Sequence, residues 1–431
     1  MKTIKRITSL LLLLLIVSLS LGSLSSCAGT EEVVLNVYNW GEYISDGSDG
    51  SLSVNEEFEK YFNETLSRKY GYKVRVNYTT YSSNEELYAK LKNTNTSYDV
   101  IIPSDYLVSR LIKDGMLEKL DRNESGDFKY IDNFKYIDEA YKEQNYYDPT
   151  NEYSVPYTMG KVGIIYNTSL IEEEIDSISA LWNPEYEKLG ILQFNNSRDA
   201  FALAQFLLAY ESETAPSINI SVKDPGGKES WDAAYRKLLE QKPLVQKYVM
   251  DEVFNKMETG NAAIAAYYAG DYFTMYASNE DLEFAYPKEG SNSFIDAMCI
   301  PTCSQNKELA QIYINFMLEP EIARANAEYI CYASPHTEVF NNEDYIAYMT
   351  EEIHPNAIDI LYNDFEKDFT GEGFTALDDE TQEYLNNLWD SLKMDGKTPT
   401  YLYIVSGAIL AVIIVTTTFF IIRKKHREKT Y

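Results

Sequence analysis

Apolar positions along the first part of the chain follow two different periods. Between Lys73 and Tyr78 the alternation is strict: Val74, Val76 and Tyr78 fall on one side and Lys73, Arg75 and Asn77 on the other, predicting a strand with one buried face. Glu31 to Tyr38 also reads as a strand, and Tyr98-Asp-Val-Ile-Ile-Pro103 as a short, fully buried one. Helical spacing fills the intervals, over Asn55 to Tyr70 and over Asn84 to Leu91, where Leu87 and Leu91 stack at i, i+4. Strand, helix, strand, helix, strand predicts an α/β domain with a largely parallel sheet. Ligands of such sheets gather at the carboxyl ends of the strands.

Asp46 to Ser51 is a surface loop by composition. Asp148 to Pro156 reads as a crossing between domains, and Gly163-Ile-Ile-Tyr-Asn167 as the start of a new strand. A helix-rich region runs to about Phe284, Phe294 to Thr302 is strand-like, and Lys307 to Leu318 is a helix closed by Glu319-Pro320. Gly371 and Gly373 break the pattern before a last amphipathic helix, Asp379 to Leu392.

Both ends depart from this middle. Lys2, Lys5 and Arg6 precede an apolar run from Leu10 to Val17 and then Leu24-Ser25-Ser26-Cys27, which predicts an export signal. That ending resembles a bacterial lipobox, implying a lipoprotein signal over residues 1–27 with Cys27 as the lipidated residue. Tyr401 to Ile422 carries no formal charge over 22 residues and is followed by a basic tail, residues 423–431. A C-terminal transmembrane helix over 401–422 is the expectation, its basic flank placing the tail in the cytoplasm. The body between the two anchors is expected to be extracytoplasmic, either periplasmic or on the cell surface.

At 431 residues the chain exceeds one ordinary core, and 45% hydrophobic against 24% charged residues is a globular composition. The formal charge is -29; without the three cations before Cys27, and the five cations and one acid after Ile422, 30 basic residues face 66 acidic ones. Such a field repels nucleic acid and anionic lipid and favours cations, although acidity equally serves solubility. The odd set Cys299, Cys303 and Cys331 leaves disulfide pairing open. Nothing has metal-type CxxC spacing, a Walker loop, a nucleophile elbow or a zinc-type histidine pair, so neither catalysis nor a metal or cofactor is expected.

Tyr38-Asn39-Trp40-Gly41-Glu42-Tyr43-Ile44 resembles the Tyr-Asn-Trp opening of the bacterial spermidine- and putrescine-binding proteins of ABC importers. The same family is echoed in order by Ser83 to Leu91, Tyr98 to Ser104, Gly115-Met116-Leu117, Tyr153 to Tyr157, Leu181 to Tyr186, Pro287 to Gly290, Asp296 to Pro301 and Ile314 to Leu318. The resemblance spans about residues 33 to 393. It implies a two-lobed periplasmic-binding-protein fold of type II. Lobe 1 would take 28–155 and 294–335, and lobe 2 156–293 and 336–398. It also implies hinge closure on a ligand and permease and ATPase partners on separate chains.

A polyamine strings ammonium groups along an alkyl chain, so its pocket needs spaced carboxylates with aromatic walls between them. Carried over residue by residue, the resemblance implies Trp40 and Tyr43 as walls and Glu42 near one amine. Ser104 and Tyr106 match a Pro-Ser-x-Tyr contact loop, where Ser104 also suits a helix N-cap. Asp199, in Asn195-Asn-Ser-Arg-Asp199, matches an acidic turn in which some relatives have a carboxylate at Asn196. Tyr268 and Asp271, in Tyr-Ala-Gly-Asp, match Trp-Ala-Gly-Asp; Phe294 and Asp296 match Trp-x-Asp; Tyr332 matches a closing tyrosine. A salt bridge to a lysine or arginine is the other reading of Asp296. The lost carboxylate and the smaller rings tilt the expectation towards putrescine.

Three other functions fit some part of the sequence. Tyr267-Tyr268 is the adjacent pair used by ferric-iron receptors of this architecture, among 37 tyrosines in all. Acid pairs fit a surface glycosidase. A polyamine sensor would use the terminal span for signalling, with nine residues beyond Ile422 as its only cytoplasmic part.

Overall fold

In the computed structural model, residues 31–93, 96–143, 146–213, 227–362 and 371–394 are described. The first lobe is built on parallel strands β1 (Glu31–Trp40), β2 (Tyr72–Tyr81) and β3 (Val100–Ile101). β2 keeps the predicted alternation, with Val74 buried and Lys73, Arg75 and Asn77 exposed. Helices α1 (Val54–Tyr61), α2 (Asn84–Leu91) and α3 (Asp105–Lys113) connect and cover these strands. Ser83 caps α2 by accepting the Glu86 N–H over 3.1 Å.

Where sequence reading placed a crossing loop and then a new strand, the chain forms one long strand, β4 (Ser154–Asn167). Its buried positions are nearly continuous, because both faces are covered. The first half of β4 pairs antiparallel with β9 (Ser291–Cys299), and the second half with β7 (Ile264–Tyr268) and β8 (Leu282–Ala285). β5 (Ile191–Phe194) and β6 (Val245–Val249) extend the second lobe in parallel with β7. The strand order is β2-β1-β3-β9-β4-β7-β5-β6, and a short β10 (Gly371–Glu372) joins the start of β9. Parallel pairs lie towards both edges and antiparallel ones at the centre, so the sheet is more mixed than predicted.

The helices that matter for the cleft are α4 (Ser197–Glu213), α5 (Lys228–Gln241) and α6 (Ala269–Ser278) in the second lobe. α7 (Lys307–Met317) and α8 (Pro320–Ile330) follow β9. Pro320 occupies the first turn of α8, where a missing N–H costs nothing. α9 (Asp379–Met394) buries Leu385 and Leu392 in a cluster with Trp231 and Leu238 of α5. The strands of the first lobe are packed on both faces by separate clusters, one around Leu35, Val37 and Ile102, the other around Tyr38, Ile101 and Val108. Cys299, Cys303 and Cys331 are all free thiols.

One expectation is corrected. The two-lobed α/β fold is supported and the C-terminal transmembrane helix is not, since among the described residues no helix is long and apolar enough to cross a membrane. The predicted span at 401–422, the basic tail at 423–431 and the lipidation residue Cys27 all lie outside the described residues.

Register across the central pair sets one wall of the cleft. Gly160 of β4 lies opposite Phe294 of β9, and a Cβ built on Gly160 would come within 2.4 Å of the Phe294 ring. Replacement by alanine overpacks this contact, at a cost of about 1–3 kcal/mol. Gly160→Ala is therefore expected to lower the thermal midpoint by roughly 2 °C or more. An unchanged midpoint would show that the ring does not press on this glycine.

Candidate ligand-binding cleft

The carboxyl ends of β1, β3, β5 and β7 converge between the lobes, opposite the start of β9, and enclose a cavity of about 90 Å³. Of the residues singled out from sequence, Trp40, Tyr43, Ser104, Tyr106, Asp199, Tyr268, Asp271, Phe294, Asp296 and Tyr332 all line it. Glu42 does not. It sits in the turn after β1 with a left-handed backbone (φ 50°), and its side chain is exposed. Its influence on the cleft is through charge, which disfavours ionisation of Asp271.

Trp40 is held at the end of β1 by its indole N–H, which donates to the Ile102 carbonyl over 2.9 Å. The Tyr81 hydroxyl donates to the same carbonyl over 2.6 Å, and the two rings lie 4.6 Å apart. Tyr43 turns inward after the exposed Glu42 and donates to Asp296 Oδ2 over 2.8 Å. Its ring meets Tyr332 edge-on at 4.8 Å. Tyr332 in turn lies on Gly270, where a Cβ would come within 2.2 Å of the ring. Only glycine in the Tyr-Ala-Gly-Asp segment leaves room for that closing tyrosine.

The acids occupy distinct settings. Asp296 is 3% exposed, and its Oδ1 has no hydrogen-bond partner among the described residues. Burial pushes its carboxyl up to about 7, against the pull of the Ser104 and Tyr43 hydroxyls. Asp271 stands in the first turn of α6, and burial lifts it to about 7 as well. Asp199, in the first turn of α4, is also raised by burial. It accepts from Asn196 Nδ2 over 2.6 Å and from the Tyr268 hydroxyl over 3.0 Å. Asn196 Oδ1 accepts the Asp199 N–H over 2.9 Å, so this asparagine caps α4 and orients the acid. Behind this wall Asp105 accepts the Ile295 N–H over 3.1 Å and is pushed up to about 6 by burial.

Arg198 is buried, with its guanidinium 5.1 Å from the Tyr106 ring centre and 4.6 Å from that of Phe374. Its charge favours ionisation of Glu85, Asp105 and Asp199. Ser104 holds the N-cap position of α3 without making the capping bond; its hydroxyl instead accepts from Asn84 over 3.0 Å. Asp296 makes no ion pair within 4.0 Å among the described residues, leaving the salt-bridge reading without a partner.

Sequence reading missed Glu85, Asp251 and Phe374, which also line the cavity. Glu85 lay in the quoted Ser83 to Leu91 segment, but helical spacing gives no sign that the first turn of α2 faces the second lobe. Both tyrosines of the iron-type pair line the cavity, but they are engaged differently. Tyr267 stacks on Phe194 at 5.3 Å, while Tyr268 donates to Asp199.

Comparison with known proteins identifies the family. The family described as bacterial extracellular solute-binding protein matches residues 95–350. A spermidine/putrescine-binding periplasmic protein of Salmonella typhimurium is 33% identical over 320 residues, covering 74% of this chain and 82% of the relative. One of Escherichia coli K12 is 32% identical over the same length and shares. Among solved structures, the spermidine/putrescine ABC transporter substrate-binding protein from Streptococcus pneumoniae aligns with a TM-score of 0.62 at 29% identity, covering 84% of this chain and 98% of that one. Carboxylates and rings at the strand ends, a matching family over most of the body, and relatives of one kind lead to one assignment: the chain belongs to the bacterial extracellular solute-binding proteins, in the spermidine/putrescine-binding group.

Proposed function

We propose that this chain captures linear polyamines outside the cytoplasmic membrane and delivers them to the permease of an ABC importer, turning over no substrate itself. The observation that carries the proposal is the buried carboxylate of Asp296, which has no cationic partner among the described residues and whose Oδ1 is left without a hydrogen bond there, facing the same cavity as Asp199 and Asp271. A buried anion without a counter-charge is costly, and an ammonium group relieves that cost directly. Each carboxylate-ammonium contact contributes about 1.5–3 kcal/mol, and ring faces add roughly 0.5–2 kcal/mol while covering the methylenes. Trp40, Tyr43, Tyr268, Phe294 and Tyr332 supply those faces in this reading. Glu42 acts at a distance and is no longer proposed as a contact. Anions and rings on both lobes make a bound dication a bridge between them, so ligand favours the closed form.

Thermal-shift titration with putrescine, spermidine, spermine, basic amino acids and ferric iron tests the proposal, because a ligand that binds only the native state raises its midpoint. Di- and triamines are expected to shift it, and amino acids and iron are not. Asp296→Asn is expected to weaken amine binding by roughly 10-fold to 150-fold. A full shift retained in that variant would remove Asp296 from the site.

The raised carboxyls also fix a pH dependence. Asp271 and Asp296, both up at about 7, hold protons in the empty cleft that a bound ammonium must displace. Binding is expected to tighten as pH rises through about 7, with proton release seen as a buffer-dependent calorimetric enthalpy. For the ligand-free fold the sign is opposite. The contribution of these two groups is fully present below the unfolded carboxylate range near about 3.9, and it is lost as pH rises through the folded values. An amine affinity that is flat between about pH 6 and 8 would contradict the assignment.

A further inference from the structure

A second cavity, of about 320 Å³, lies beside the first, between α2 and α3 of the first lobe and α9 with the segment before it. Asn84, Glu85 and Tyr106 border both spaces, and Glu85 is the one carboxylate that does. We infer that Glu85 sets the length of amine the protein accepts, by taking a third ammonium group where the main cavity gives onto this larger chamber. The inference rests on the polyamine reading and deepens it by naming the residue that discriminates triamines from diamines.

Three observations carry it. First, Glu85 is lightly engaged: Tyr106 donates to its Oε1 over 3.4 Å, a long bond that leaves acceptor capacity for another donor. Second, the cation that lines the chamber is already committed. Arg110 donates to the Leu377 carbonyl over 2.6 Å, to the Tyr88 hydroxyl over 2.9 Å and to Asp114 over 3.2 Å, and also pairs with Asp379. The remaining chamber wall on α9 is Gln382, Glu383 and Asn386, which offer acceptors to a cation and no positive charge. Third, Asn196, where a carboxylate would extend the acid row from the second lobe, is spent on Asp199 and the α4 cap. Glu85 supplies an anion to the same neighbourhood from the opposite lobe, close enough for Asp199 and Arg198 to influence its ionisation. Glu85 therefore supplies an acid where Asn196 does not, and the expected tilt towards putrescine gives way to acceptance of longer amines.

Titration calorimetry of the purified full-length chain with putrescine and spermidine tests this. In Glu85→Gln, the spermidine affinity is expected to fall at least tenfold more than the putrescine affinity. Ala89 borders only the chamber and is exposed on α2. Ala89→Trp, which fills that space from the surface, is expected to weaken spermidine and leave putrescine within about twofold, and it decides the matter should Glu85→Gln fail to fold. Equal losses for both amines, or an unchanged spermidine affinity, would overturn the inference. A wild-type chain that binds putrescine but no spermidine overturns it while leaving the polyamine reading intact; one that binds neither overturns both.

Discussion

Removing a carboxylate from water without giving it a counter-charge is among the costliest things a fold can do, and this cleft does it at Asp271 and Asp296, while Asp199 has the buried Arg198 nearby. Asp199, Asp271 and Asp296 all line one small space between two lobes. The fold keeps them tolerable in two ways. Hydroxyl and amide donors take one side of a carboxylate, as Tyr43 does for Asp296 and Asn196 does for Asp199. The remaining cost is met by protonation, which is why burial lifts Asp271 and Asp296 towards neutrality. A proton neutralises one carboxylate at a time, whereas an alkyl diammonium neutralises two and brings apolar surface for the rings. The empty site is thus poised for ligands that are both multiply positive and apolar between their charges.

That arrangement requires acids from separate lobes to be held on rigid supports. β4 and β9 run side by side through the middle of the sheet, and β4 continues into the second lobe without a break. Asp296 and Phe294 therefore sit on the shared element itself, while Asp199 and Asp271 hang from helix starts in the second lobe, and Trp40 ends and Tyr43 follows a strand of the first. Helix starts suit acids, because free N–H groups and the dipole favour negative charge there. The dipole offsets part of the cost of burial and leaves the rest for the ligand to relieve.

Much of the candidate site was legible because its contact segments are short and contiguous, and several, those of Trp40, Ser104, Asp199 and Tyr268, lie at or just after a strand end where a parallel sheet collects its ligands. Tyr-Ala-Gly-Asp carries a ring, a glycine and an acid whose spacing is dictated by one strand-to-helix turn, so the sequence held the geometry. Glu42 lies outside the cavity lining although its neighbours Trp40 and Tyr43 face the cleft. Its left-handed φ of 50° turns its own side chain away, and a one-dimensional motif does not record that sign. Glu85 and Phe374 were missed for the opposite reason: each reaches the cavity from an element whose local pattern says nothing of the other lobe. The strand expected to start at Gly163 begins earlier, at Ser154, because the segment to Asn167 has no exposed position to mark where one half-sheet gives way to the next. The terminal span was an inference from hydropathy over residues that the described structure does not include.

The tyrosines explain how this cleft differs from one walled by tryptophan. A tryptophan presents a stronger cation-π face, but its indole has a single donor fixed in the ring plane. Tyr268 gives up some of that face and donates to Asp199, and Tyr43 likewise offers an edge to Tyr332 while donating to Asp296. In the proposed polyamine site each ring then serves methylenes on one side, while its hydroxyl holds a carboxylate on the other. Without those donors the acids would be drier still and would hold their protons more tightly, so a cation would have to displace them at greater cost. Substituting tyrosine for tryptophan therefore does not simply weaken the wall; it moves part of the binding energy from the ring face to the charge of the neighbouring acid. In a chain this rich in tyrosine, that exchange lets modest aromatic surfaces coexist with several buried anions.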